Sequence, residues 1–212
     1  MNIHTFGDSH SSKEHSHWRF HNLTNIKDHH LGPRLMNSFA TRPFEVCNIK
    51  TQRYGVKDND IVIFCFGEID CRCHVHKHIT VQKSYENIIT ELVDKYFVAI
   101  KRNVQQFNNL FVCVYNVVPP LYTDAKGHPD FPFLGTNEER REYHLFMNKE
   151  IKRMCGLHDY YFFDIYEKSC NKDGFINRSY TDNCGLHLRN DKDAKIVIED
   201  ILKKAKEKTI NK

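Results

Sequence analysis

The sequence has no CxxC pair, no internal repeat, no low-complexity segment and no flexible linker. No apolar run approaches the roughly 18 residues that a membrane span requires. The missing CxxC leaves a knuckle-type zinc site unsupported, although the chain carries eight cysteines. The opening MNIHTFGDSHSS lacks the charged-then-apolar pattern of a secretory leader. These absences lead us to expect a cytoplasmic protein with free thiols. Charge of one sign is also scarce, with 31 basic residues against 27 acidic ones and a formal net charge of +4. That imbalance is too small to suggest nucleic acid or a membrane surface as partner, and no aromatic-interleaved basic stripe occurs. His74, His76 and His78 alternate along the chain, as on one face of a strand, but no carboxylate lies at ligand spacing from them. We therefore expect no metal and no cofactor.

What is present reads as one domain over residues 1–212, a length sufficient to bury a core without disulfides. Short apolar runs alternate with amphipathic stretches, the pattern of an α/β protein with a mainly parallel sheet. Strands are expected at Asn2–Phe6, near Leu23–His30, at Asp60–Phe66, at Leu110–Tyr115 and at Tyr160–Asp164. Helices are expected after Ser9, where Ser11 and Glu14 have capping-box spacing, and from Pro33 through Phe39. Further helices are expected within 81–106, over Asn137–Met154 and over Asp191–Lys208. Cys65 and Cys113 fall inside strand-like apolar runs and are expected to be buried as small hydrophobes.

In an open parallel sheet, ligands bind beyond the carboxyl ends of the strands. Four segments place unusual residues there. Gly7-Asp8-Ser9-His10-Ser11 follows the first strand, where a serine on a tight turn can act as nucleophile and backbone oxyanion donor together. Taken alone, the same residues also make a plain turn and helix cap. Gly32, ahead of a helix, can offer its N–H to an oxyanion or serve as a loop glycine. Gly67-Glu68-Ile69-Asp70-Cys71-Arg72 puts two carboxylates and a guanidinium at a strand end, either toward substrate or as an Asp70–Arg72 structural pair. Asp182 to Leu188 brings a loop histidine, His187, with a carboxylate nearby, as a serine nucleophile requires of its base. The Tyr122–Gly135 stretch, rich in turn residues and aromatics, reads as a lid or substrate wall.

The order GDSHS, LGP, GEIDCR and a late HL pair, spanning Gly7 to Leu188, resembles the sequence blocks of the SGNH/GDSL hydrolases. GDSHS with GEIDCR particularly resembles members found beside glycan-processing enzymes. The resemblance implies a flavodoxin-like three-layer α/β/α sandwich with a five-stranded sheet, and ester hydrolysis through an acyl-enzyme. It implies Ser9 as nucleophile, His187 as base and Gly32 as oxyanion donor. Asp8, Glu68, Asp70 and Arg72 are the remaining oxyanion-side and substrate-side candidates. A small-molecule or glycan ester, most plausibly an O-acetylated carbohydrate, is the implied substrate. Two positions depart from the family pattern. Ile69 stands where the third block usually has an asparagine donor, and Cys184 stands where the last block usually has the acid. Asp182, two residues earlier, reaches His187 only if the loop bulges. An acyltransferase with the same machinery, or a non-catalytic glycan-binding module, are the alternatives.

Overall fold

A computed structural model describes residues 1–18 and 26–210. The part of the expected second strand that falls in residues 23–25 lies outside the described residues. The first four strands are β1 (Ile3–Gly7), β2 (Ile26–His30), β3 (Ile61–Cys65) and β4 (Phe111–Tyr115). A small antiparallel hairpin, β5 (Gly127–His128) and β6 (Phe131–Pro132), precedes β7 (Tyr161–Phe163). The main sheet is five-stranded and parallel, in the order β2-β1-β3-β4-β7. The order reverses between β1 and β3, so the crevice beyond their carboxyl ends is the switch point where such sheets bind ligands.

Among the described residues, seven α-helices accompany the strands: α1 (Met36–Thr41), α2 (Pro43–Val46), α3 (Val75–Lys77), α4 (Tyr85–Val104), α5 (Asn137–His158), α6 (Tyr166–Ser169) and α7 (Asp191–Ile210). Alternation along the strands assigns side chains to the two faces. Val62 and Phe64 of β3 pack with Met36 and Phe39 of α1, Ile89, Val93 and Tyr96 of α4 and Met147 and Ile151 of α5. Ile61, Ile63 and Cys65 of the same strand pack with Trp18 and with Ala194, Ile198 and Ile201 of α7. The result is the expected three-layer sandwich, with Cys65 and Cys113 buried as expected.

Three local expectations are corrected. After Ser9 the chain makes only a 3-10 turn, Ser9–Ser11, because the Ser11 hydroxyl donates to the Asp8 carbonyl at 2.8 Å instead of capping a helix. Helix α1 begins at Met36, three residues beyond Pro33, because its first amides find a distant cap: Met36 N–H and Asn37 N–H donate to the Asp70 carboxylate at 2.6 and 3.1 Å. His74, His76 and His78 lie on and beside helical turns, not on a strand, and the rings of His74 and His78 meet at a tilt of 59° with centroids 4.4 Å apart.

Candidate active site

Gly7 ends β1 where the backbones of β1 and β3 nearly touch. A Cβ there would fall 1.8 Å from the Cys65 carbonyl oxygen, and Asp8 N–H donates to that same oxygen at 3.2 Å. The chain can therefore turn immediately, and Ser9 emerges half-buried at the start of the 3-10 turn. Leu31 N–H donates to the Gly7 carbonyl at 2.9 Å, which brings the Gly32 loop to the same end of the sheet. Gly32 has φ +80 and open space where a side chain would be, so its backbone is accessible.

The loop carrying His187 is closed by an antiparallel bridge between Thr181 and Leu188 and turns through Gly185 at φ +76. This closure carries Asp182 back over the loop. Its Oδ2 lies 2.5 Å from His187 Nδ1, and its Oδ1 accepts the Cys184 thiol at 2.9 Å. The thiol also lies 3.4 Å from His187 Nδ1. Burial opposes ionisation of Asp182, but the hydrogen bonds from Cys184 and His187 outweigh it and hold its pKa at about 2. The His187 pKa is lowered, first by burial and then by the His10 charge, against the pull of Asp182. A neutral ring with Nδ1 committed to a carboxylate leaves Nε2 as the basic atom. The donor atoms of Asp182, Cys184 and His187 lie within 4.8 Å of one another, and the hydrogen bonds among them account for that closeness.

The serine turn and the histidine loop are joined by a row of contacts. His10 Nε2 meets the Leu186 carbonyl at 3.3 Å, Ser16 Oγ donates to the Leu188 carbonyl at 3.0 Å, and an Arg189 guanidinium N–H donates to the Glu14 carbonyl at 3.2 Å. The rings of His10 and His15 lie 5.5 and 4.9 Å from that of His187. His10 and His15 belong to a crowd of histidines around Ser9 that the sequence suggests are mostly loop and surface residues; the fold instead buries His10 and sets both rings against His187.

The third block is taken up inside the protein. Asp70 is fully buried as the α1 cap, and burial, against the two amides, pushes its carboxyl up to about 7. Arg72 pairs with Glu68 at 2.9 Å and donates to the Phe131 carbonyl at 2.9 Å, so the pair is Glu68–Arg72 and not Asp70–Arg72. Arg72 thereby fastens the hairpin segment, which Leu134 N–H also ties to the Arg72 carbonyl at 3.0 Å. Ile69 is buried and donates nothing to the site from its side chain. Asp8 is also buried and faces His10. Of the eight residues proposed from the sequence, the fold brings the loops bearing Ser9, Gly32 and the Asp182–His187 pair to the same end of the sheet. It withdraws Asp70 and Arg72 into packing.

Beside the loop of Asp182 and Cys184 lies a groove of about 480 Å³, bounded by Thr123, Ala125 and Phe133 of the hairpin segment and by Arg178, Asp182 and Cys184. A separate cleft of about 220 Å³, at Asn59, Phe107 and Tyr160, lies at the amino ends of the strands.

The comparisons add to this geometry. No protein-family model and no curated protein matches the chain. Solved structures do. A GDSL-like lipase from Bacteroides thetaiotaomicron aligns with a TM-score of 0.59 at 14% identity, over 98% of this chain and 88% of that one. The fold is that of the SGNH/GDSL hydrolases. An aryl esterase of M. smegmatis aligns with a TM-score of 0.56 at 15% identity, over 95% of this chain and 98% of its own. An acetyl xylan esterase aligns with a TM-score of 0.55 at 13% identity, over 97% and 99%. Among the described residues, no helix is long and apolar enough to cross a membrane.

Proposed function

We propose that the chain is a serine esterase that removes acyl groups, most simply acetyl, from hydroxyls of a carbohydrate. One observation carries this reading: a histidine with its Nδ1 held by a carboxylate at 2.5 Å sits on a loop fastened to the Ser9 turn at the switch point of the sheet. Ser9 Oγ attacks the ester carbonyl while His187 Nε2 takes the hydroxyl proton. The tetrahedral oxyanion faces the backbone N–H groups of Ser9 and Gly32. His187 returns the proton to the departing sugar oxygen, and a water activated by the same nitrogen then hydrolyses the acyl-enzyme. Asp182 fixes the ring's tautomer and orientation. The groove, with Thr123 and Arg178 beside Phe133, offers the mix of polar donors and an aromatic face that a sugar uses. Solved structures of the same fold include one described as an acetyl xylan esterase, which supports the carbohydrate ester.

A second reading has its own observation. Ile69 is buried where the resemblance expects a side-chain oxyanion donor, and losing one donor costs about 100–1000-fold in rate. That favours slow turnover or a glycan-binding module. Labelling with a fluorophosphonate probe, mapped by mass spectrometry, separates the two. Modification at Ser9 that disappears in Ser9→Ala and falls sharply in His187→Ala is expected. A folded protein that leaves Ser9 unmodified overturns the esterase reading.

A further inference from the structure

The buried pair Asp8–His10 is not used by the mechanism above, yet it touches both halves of the site. Asp8 is 1% exposed and His10 4%. Asp8 Oδ1 lies 2.9 Å from the His10 backbone N–H, which donates to it, and 3.0 Å from His10 Nδ1. On the other side of the ring, Nε2 faces the Leu186 carbonyl at 3.3 Å. A carboxylate and a carbonyl only accept, so a ring placed between them satisfies both only by donating from both nitrogens. The doubly protonated imidazolium is the form that does so.

We propose that His10 is a positioning residue, held as an imidazolium between Asp8 and Leu186, which fastens the base loop to the nucleophile turn and neutralises the Asp8 carboxylate beside the oxyanion. The proposal rests on the assignment of Ser9 and His187 above. The electrostatic need is direct. Asp8 immediately precedes Ser9, whose N–H is to receive a developing negative charge. A bare carboxylate there, buried where fields are poorly screened, would oppose that charge. Asp8 Oδ2 has no hydrogen-bond partner among the described residues, so His10 is its principal neutraliser.

The neighbours of His10 favour the same form. Burial alone would strip its proton, but the Asp8 charge and hydrogen bond, then Glu68 and the Leu186 carbonyl, outweigh burial and raise its pKa above the ordinary imidazole value. Glu68 is shared with Arg72. The other titratable groups close enough to feel His10 are histidines held neutral: His17, with burial lowering its pKa to about 3, and His144, lowered by burial to about 4. His187 is the fourth member, and the His10 charge is the second cause, after burial, of its lowered pKa. Asp8, Glu68 and Tyr115 line the small crevice against His10, and among the described residues that line it there is no lysine or arginine.

The test is a histidine NMR titration of the wild-type protein, with His10→Gln and Asp8→Asn beside it and p-nitrophenyl acetate as kinetic probe. In the wild type, both His10 nitrogens carry protons at pH 7, and His187 titrates below His10. In His10→Gln the His187 pKa moves up, and kcat falls about 10–100-fold while KM stays within about threefold. The high-pH loss of kcat/KM expected of the wild type as His10 gives up its proton is absent from His10→Gln. Asp8→Asn lowers the pKa of His10 and gives a similar loss in kcat. A neutral His10 at pH 7 in the wild type overturns the proposal even if neither variant folds, as does an unmoved His187 in folded His10→Gln. The NMR readout does not need turnover, so an inactive Ser9 with a charged His10 refutes the esterase reading and not this charge state.

Discussion

The Asp182–His187 and Asp8–His10 pairs flank the same serine with the same two side-chain types, yet they settle in opposite charge states. His187 keeps 16% of its side chain exposed, and its ring meets a carboxylate acceptor at Nδ1. His10 keeps 6% and has acceptors on both nitrogens. What separates a base from a fixed cation here is the second acceptor. The Leu186 carbonyl supplies it, from the residue next to His187, so the loop that holds one ring free also holds the other charged.

The sharpest way to break this contrast is to remove the acceptor that His187 does have. Asp182→Asn keeps the shape but offers the wrong partner, and kcat on p-nitrophenyl acetate is expected to fall about 10³–10⁴-fold. A loss under tenfold would mean that the ring is oriented by something else. The next effect is on pH. Because the His187 pKa lies below its ordinary value, the base stays neutral into mildly acid solution, and the acid limb of kcat/KM should fall below pH 6.5. His10 gives the opposite limb, at higher pH, as its proton leaves.

A third carboxylate sharpens the comparison further. Asp182 is held at about 2 and Asp70 is pushed up to about 7. Asp70 binds its proton more tightly folded than unfolded, so its contribution to stability falls as pH rises from about 4 to about 7. Asp70→Asn should flatten that part of the stability-versus-pH curve in thermal melts. An unchanged slope would assign it to other groups. The smallest effect is expected at Cys184. Its thiol touches both Asp182 and His187 but makes no bond that serine cannot make, so Cys184→Ser should lower kcat less than about fivefold.

Much of the fold was legible because its signals are local. The β-branched run Asp60–Phe66 and the apolar spacing Ile88, Ile89, Leu92, Val93 and Tyr96 gave β3 and α4 to within a few residues. The start of α1 was not legible, because its cap, Asp70, lies 34 positions along the chain and meets it only after folding. The meeting of Asp182 with His187 was legible only as a condition, since it depends on Gly185 in a left-handed conformation and on the Thr181–Leu188 bridge. The Glu68–Arg72 pair was hidden behind a nearer-looking alternative: i,i+4 spacing on a helical turn aligns those side chains, while Asp70 turns toward α1.

The strand order has a consequence for how the protein comes into being. β1 leads directly into Ser9 and precedes the other strands of its sheet along the chain, yet it lies inside the sheet, between β2 and β3. The His187 loop follows every strand of the sheet along the chain and closes against residues 10–17. Synthesis therefore delivers Ser9 long before His187, and the contacts between their loops form only once both are present.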